Sequence, residues 1–101
     1  MKIYVAGKFE LADRVRETMF QLVDAGHTIT YDWTLQTEVN AAQAVADLRG
    51  VVEADALVAV FEHLVSYRGA LVEFGVALGL GKPIYVIGNA LDDHLIFLHH
   101  P

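Results

Sequence analysis

The sequence predicts a small doubly wound α/β fold: a parallel sheet of four or five strands with helices on both faces. Short, almost wholly apolar runs alternate with segments of helical periodicity, and Gly7, Gly26 and Asn40 stand where one kind gives way to the next. Strands that are apolar on both faces belong to a parallel sheet covered on both sides.

The elements follow in order. "KIYVAG" (Lys2 to Gly7) is a β-rich run closed by glycine, and "ELADRVRETMFQLVDAG" carries Leu11, Val15, Met19, Leu22 and Val23 at helical spacing until Gly26 stops it. "HTITYDW" (His27 to Trp33) predicts a second strand, and "NAAQAVADLRGVVEA" a second helix with Asn40 as its N-cap. "DALVAVF" (Asp55 to Phe61) is a third strand, "RGALVEFGVALGLGKP" (Arg68 to Pro83) contains a third helix, and "PIYVIG" (Pro83 to Gly88) is a fourth strand. "LIFLHH" (Leu95 to His100) is the candidate fifth strand; the link from Gly88 is too short for a parallel crossover, so it pairs antiparallel or packs on a partner chain.

Composition bounds the function. With 101 residues, 54% of them hydrophobic, the chain has enough material for one domain spanning 1–101. A formal charge of -6 with only 7 lysines and arginines argues against a surface that tracks nucleic acid, so any phosphate it binds should be a small one. No cysteine is present, which removes disulfides and thiolate chemistry. No run reaches membrane-spanning length, so the expectation is a cytoplasmic protein that needs no membrane partner. His63, His94, His99 and His100 do not make a metal site, since adjacent histidines in a strand point to opposite faces, and no cofactor is expected. Asp92 and Asp93 read as a turn.

One charge is out of place. Between Arg68 and Lys82 the only charged side chain is Glu73, and burying an ionised carboxylate costs several kcal/mol unless something compensates. Its helical neighbours Gly69, Ala70, Val76 and Ala77 are small or apolar, which leaves room for a ligand beside it. In doubly wound folds ligands bind beyond the carboxyl ends of the strands. "AGKF", "EHLVSYRG" and "GNALDD" meet there, placing Glu73 at the floor of a pocket.

"KIYVAGKF", "ADLRGVVEADALVAVFE" and "YRGALVEFGVALGLGKPIYVIG", in that order and spacing, resemble the nucleoside 2-deoxyribosyltransferase family from Lys2 to Gly88. The resemblance implies cleavage of the N-glycosidic bond of a 2-deoxynucleoside, with deoxyribose passed to another base or to water, on a homo-oligomer. It implies Glu73 as the nucleophile, Tyr4 as the tyrosine that orients it, and Asp47 as the acid that handles the proton of the leaving base. The chemistry suits these residue types: an anion captures an oxocarbenium-like C1′, and a departing base needs a proton donor.

The transferases of this family usually carry an acid five or six positions before the nucleophile, where it holds the sugar hydroxyls. Here those positions are Tyr67 and Arg68. The related deoxynucleoside 5′-monophosphate N-hydrolases have an uncharged residue there and bind a phosphate. Arg68 with Ser66, Gly69 and the helix-start N–H groups, and Lys8 beside Gly7 in the first loop, would supply such a phosphate site. The substrate expectation is thus a small-molecule nucleoside or its monophosphate, shifted toward the monophosphate, with transfer and hydrolysis both open.

Each residue has a plainer reading. Glu73 would pair with Lys82 or Arg68 on a helix face; Asp47 would join Arg49 and Glu53 in a solvated stripe; Tyr4 would be a core aromatic. Trp33 has the shape to stack on a base, but a tryptophan at a strand end more often packs. Gly75 and Gly79 would let the third helix approach the sheet or another helix closely. A non-catalytic nucleotide sensor and an oligomeric interaction domain are the alternatives on the same fold. A sensor would bind nucleotide without releasing base; an interaction domain would gain no thermal protection from nucleotide.

Overall fold

β3 (Ala56–Val60) has no charged residue, and all five of its side chains are buried. A strand of that kind needs a neighbour on each side and a layer on each face. The computed structural model, which describes residues 1–91, provides both. β1 (Lys2–Ala6), β2 (Thr28–Ile29) and β4 (Ile84–Ile87) complete a four-stranded parallel sheet in the order β2-β1-β3-β4. Tyr4 stands opposite Leu57 in the β1–β3 register, and Val58 opposite Tyr85 in β3–β4.

The helices are α1 (Ala12–Asp24), α2 (Ala41–Glu53) and α3 (Arg68–Gly79). The strand order reverses after β2, so right-handed crossovers place α1 on one face and α2 with α3 on the other. In agreement, α1 packs on β1 and β2, whereas α2 and α3 pack on each other and on β1, with α3 also touching β3 and β4. Asn40 caps α2 as expected, its Oδ1 accepting from the Gln43 N–H at 3.0 Å. Gly26 ends the α1 segment at φ 95°, a left-handed conformation that a side chain disfavours.

Several expectations need correction. The second strand does not run to Trp33. It pairs only at Thr28 and Ile29, and Trp33–Leu35 form a short 3-10 helix. Asp32 is the physical reason: its Oδ1 accepts from the Thr34 N–H at 3.0 Å and from the Thr34 hydroxyl, a local bond that competes with the sheet ladder. Arg16 of α1 then clamps the turn, donating to Thr34 Oγ1 and to the Thr34 carbonyl, each at 3.0 Å. Val23 is off the buried stripe of α1 at 51% exposure. Gly75 and Gly79 do not bring α3 close to the sheet; nothing lies within 4 Å of where a Cβ would stand on either.

Lys82 does not pair with Glu73. Its ammonium donates to the carbonyls of Val52 and Ala54 at 2.8 and 2.6 Å, satisfying the C-terminal end of α2. The Leu95 to His100 strand, the Asp92–Asp93 turn, and His94, His99 and His100 lie outside the described residues. Among the described residues no helix is long and apolar enough to cross a membrane.

Candidate functional site

β1 and β3 lie side by side, and the chain leaves them in opposite directions, β1 toward β2 and β3 toward β4. The loops after them therefore part and open a crevice at their carboxyl ends. A cleft of about 850 Å³ occupies this place. Its walls come from the loop after β1 (Gly7, Lys8, Phe9, Glu10), the segment leading into α2 (Gln36 to Val39), Asp47 of α2, and the start of α3 with its preceding loop (Ser66 to Ala70). Glu73 lies in its lining.

Glu73 is 6% exposed. The second turn of an apolar helix carries it against the sheet, and the Tyr4 phenol on β1, fully buried, donates to its Oε2 at 2.5 Å. Burial is the main influence on the carboxyl and pushes its pKa up to about 8, aided by the nearby Asp47 charge and opposed by the Tyr4 hydrogen bond. The same desolvation, with the Glu73 charge next in size, pushes the Tyr4 phenol upward, so it stays a donor across the working pH range. Asp47, on the α2 side of the cleft, is also raised by desolvation, with a hydrogen bond from Gln36 acting in the opposite sense. Two carboxyl groups of raised proton affinity thus face one cavity that holds a polar rim, a pattern typical of acid–base sites.

The sequence-derived residues converge. Gly7, Lys8, Trp33, Asp47, Ser66, Arg68, Gly69 and Glu73 all line this cleft, and Tyr4 reaches it through Glu73. Their individual parts differ. Trp33 is 6% exposed and its indole N–H is spent on the Val5 carbonyl at 2.6 Å, so it braces the wall. Lys8 donates to the Ser66 carbonyl at 2.7 Å and pairs with Glu10 at 3.5 Å, tying the β1 loop to the β3 loop. The Arg68 guanidinium, at the start of α3, has no hydrogen-bond or ion-pair partner among the described residues. Tyr67 cannot replace a sugar-binding acid: its hydroxyl accepts from the His63 N–H at 3.2 Å and donates to the His63 carbonyl at 2.9 Å, and its ring lies 4.8 Å from that of Phe61.

Sequence reasoning missed three contributors. Gln36 donates to Asp47 Oδ1 at 2.6 Å. Phe9 stands exposed at the cleft with its ring 6.4 Å from Trp33. Gly50 lets α2 approach β1: a Cβ there would stand 2.9 Å from Tyr4 Cδ2 and 3.0 Å from Tyr31 Cβ. No local signal distinguishes a mid-helix glycine of this kind. Gly50→Ala is expected to destabilise the fold by about 1–3 kcal/mol through overpacking, less about 1 kcal/mol gained in helix propensity. Urea denaturation measures it, and a variant more stable than wild type would contradict the packing account.

Among solved structures, the CMP N-glycosidase BcmB of Clostridium botulinum has a similar fold, with a TM-score of 0.65 and 21% sequence identity over 85% of this chain and 70% of that one. At this identity the likeness establishes the fold. No protein-family model matches the sequence, and no curated protein matches it.

Proposed function

We propose that this chain is an N-glycosidic enzyme of the nucleoside 2-deoxyribosyltransferase type, acting on a nucleoside 5′-monophosphate. The observation that carries the reading is Glu73, a carboxyl group buried on an apolar helix, held by the Tyr4 phenol at 2.5 Å and opening into the cleft. A buried acid of raised pKa with a dedicated donor suits a group that works while exchanging charge with a substrate. The fold of a nucleotide N-glycosidase supports the same assignment.

In this reading Glu73 is the nucleophile, Asp47 the acid and Tyr4 a positioning residue. One oxygen of ionised Glu73 bonds C1′ of the sugar as the C1′–N bond breaks. The bonding pair leaves with the base, and the Asp47 proton goes to a base nitrogen. Water or a second base then attacks C1′, the Glu73–C1′ bond breaks, and the proton of the attacking group returns to Asp47. Two displacements give net retention. Tyr4 holds the Glu73 carboxyl so that one oxygen stays directed to the cleft.

Arg68 and the first N–H groups of α3, whose Tyr67 N-cap makes no side-chain capping bond, form the phosphate seat, with Ser66 and Gly69 beside them. Arg68→Ala is expected to raise KM for monophosphates by about 10- to 100-fold, the equivalent of one charge-assisted hydrogen bond, with kcat little changed and nucleosides unaffected. Equal losses on both substrates would remove Arg68 from this role.

The experiment for the function itself resolves the products of deoxynucleosides, ribonucleosides and their monophosphates, with and without a second free base. Free base from monophosphates is the expected result, and an exchanged nucleotide would assign transfer. Nucleotide binding with no base released, unaltered by Glu73→Gln, would leave a sensor instead.

A further inference from the structure

Asp47 has two oxygens, and a proton donor is useful only if the proton sits on the one facing the substrate. Gln36 Nε2 donates to Oδ1 at 2.6 Å, whereas Oδ2 has no hydrogen-bond partner among the described residues. An amide N–H can only donate, so the oxygen it occupies is held as the acceptor and the other is left to carry the hydrogen.

The orientation of the Gln36 amide is itself set from behind. The Tyr31 hydroxyl donates to Gln43 Oε1 at 3.0 Å, leaving its oxygen to accept, and Gln36 Nε2 lies 3.5 Å from it. The relay Gln43–Tyr31–Gln36–Asp47 therefore runs in one sense. Gln43 is fixed on α2, and the segment bearing Gln36 is fixed by the Arg16–Thr34 clamp and by the Trp33–Val5 hydrogen bond. Neither Tyr31 nor Gln43 lines the cleft.

We propose that Gln36 is a positioning residue that fixes which oxygen of Asp47 delivers the proton to the departing base. This rests on the reading of Asp47 as the acid. In the step, the hydrogen on Oδ2 passes to a base nitrogen as the C1′–N pair leaves with the base, and Asp47 becomes a carboxylate whose Oδ1 is already hydrogen-bonded. The amide thus also stabilises the charge that appears on Asp47. The other ionisable groups around Asp47 are Glu73 on α3, Tyr4 on β1 and Tyr31 ahead of the 3-10 turn, with Lys8, Glu10, Glu38 and Arg68 in the same cleft wall. Of these only Tyr31 is in hydrogen-bond contact with Gln36, and Tyr31→Phe tests that contact separately.

The test combines base release with carbon-detected NMR titration of the Asp47 carboxyl in wild type, Gln36→Met and Tyr31→Phe, each first shown to be folded by thermal unfolding. Gln36→Met is expected to move the Asp47 titration to higher pH, because a bond favouring the carboxylate is lost, and to lower kcat by about 10- to 100-fold with KM little changed. Tyr31→Phe, which touches no substrate, is expected to give a smaller loss of the same kind. An unmoved Asp47 titration in Gln36→Met, or a moved one with base release at the wild-type rate, overturns the proposal and leaves Asp47 as the acid. Wild type that releases no base from any nucleotide or nucleoside overturns both.

Discussion

Glu73→Gln is expected to lower base release by on the order of 10⁴-fold or more, since an amide neither bonds C1′ nor balances its developing charge. The same substitution is expected to change the pH dependence of stability, in the opposite direction from activity. The Glu73 pKa rises from 4.5 to about 8 on folding. An acid with a raised folded pKa binds protons more tightly in the native state, so its contribution to stability is intact below about pH 4.5 and is lost as pH rises toward 8. At 1.36 kcal/mol per pH unit this amounts to about 3–5 kcal/mol. Glutamine has the shape and hydrogen-bonding groups of the neutral acid and does not ionise. The variant is therefore expected to match wild type near pH 5 and to exceed it by a few kcal/mol near pH 9, read by urea denaturation at the two pH values. Equal dependence in both proteins would contradict the burial of a carboxyl kept for function.

The second large effect is on Asp47. The proposed mechanism needs Glu73 ionised and Asp47 protonated, which is one proton between two acids. Activity as kcat/KM is therefore bell-shaped in wild type, falling as pH rises through the upper macroscopic pKa, set chiefly by Glu73 at about 8. Asp47→Asn removes the need for that proton. Its kcat/KM is expected to be about 10²- to 10⁴-fold lower for a neutral base, and to rise with pH through the Glu73 pKa to a plateau instead of falling. A substrate whose base already bears a positive charge needs no proton on leaving, so on it the variant is expected to approach wild type. A wild-type profile that rises to a plateau above pH 8 would mean that Asp47 does no acid work.

The overall architecture was legible because its signals are local. The unbroken apolar run of β3 dictates burial on both faces, and Asn40 and Gly26 announce helix ends by their own chemistry. Glu73 was legible for the same reason, as one charge in an apolar helix. Tyr4 was not, because a tyrosine in a buried strand looks like any core aromatic until the acceptor for its hydroxyl is known, and only the family resemblance singled it out. The early end of β2 depends on a competition between the Asp32 side chain and the sheet ladder, which is decided by Arg16 on another element. Gln36 lies in a polar segment with no periodicity, and it meets Asp47 only because the 3-10 turn is clamped to α1. Arg68 was legible as a departure from a pattern, though its open position at the cleft wall required the fold.

The central claim is that Glu73 attacks the sugar. A monophosphate with a fluorine at C2′ slows both displacements and prolongs any glycosyl-enzyme species, because fluorine destabilises an oxocarbenium-like C1′. After rapid quenching, digestion and mass spectrometry, the account predicts a mass gain equal to the fluorinated sugar phosphate on the peptide that contains Glu73, absent in Glu73→Gln. Adduct on any other residue, or base release with an inverted sugar product and no adduct, would contradict it.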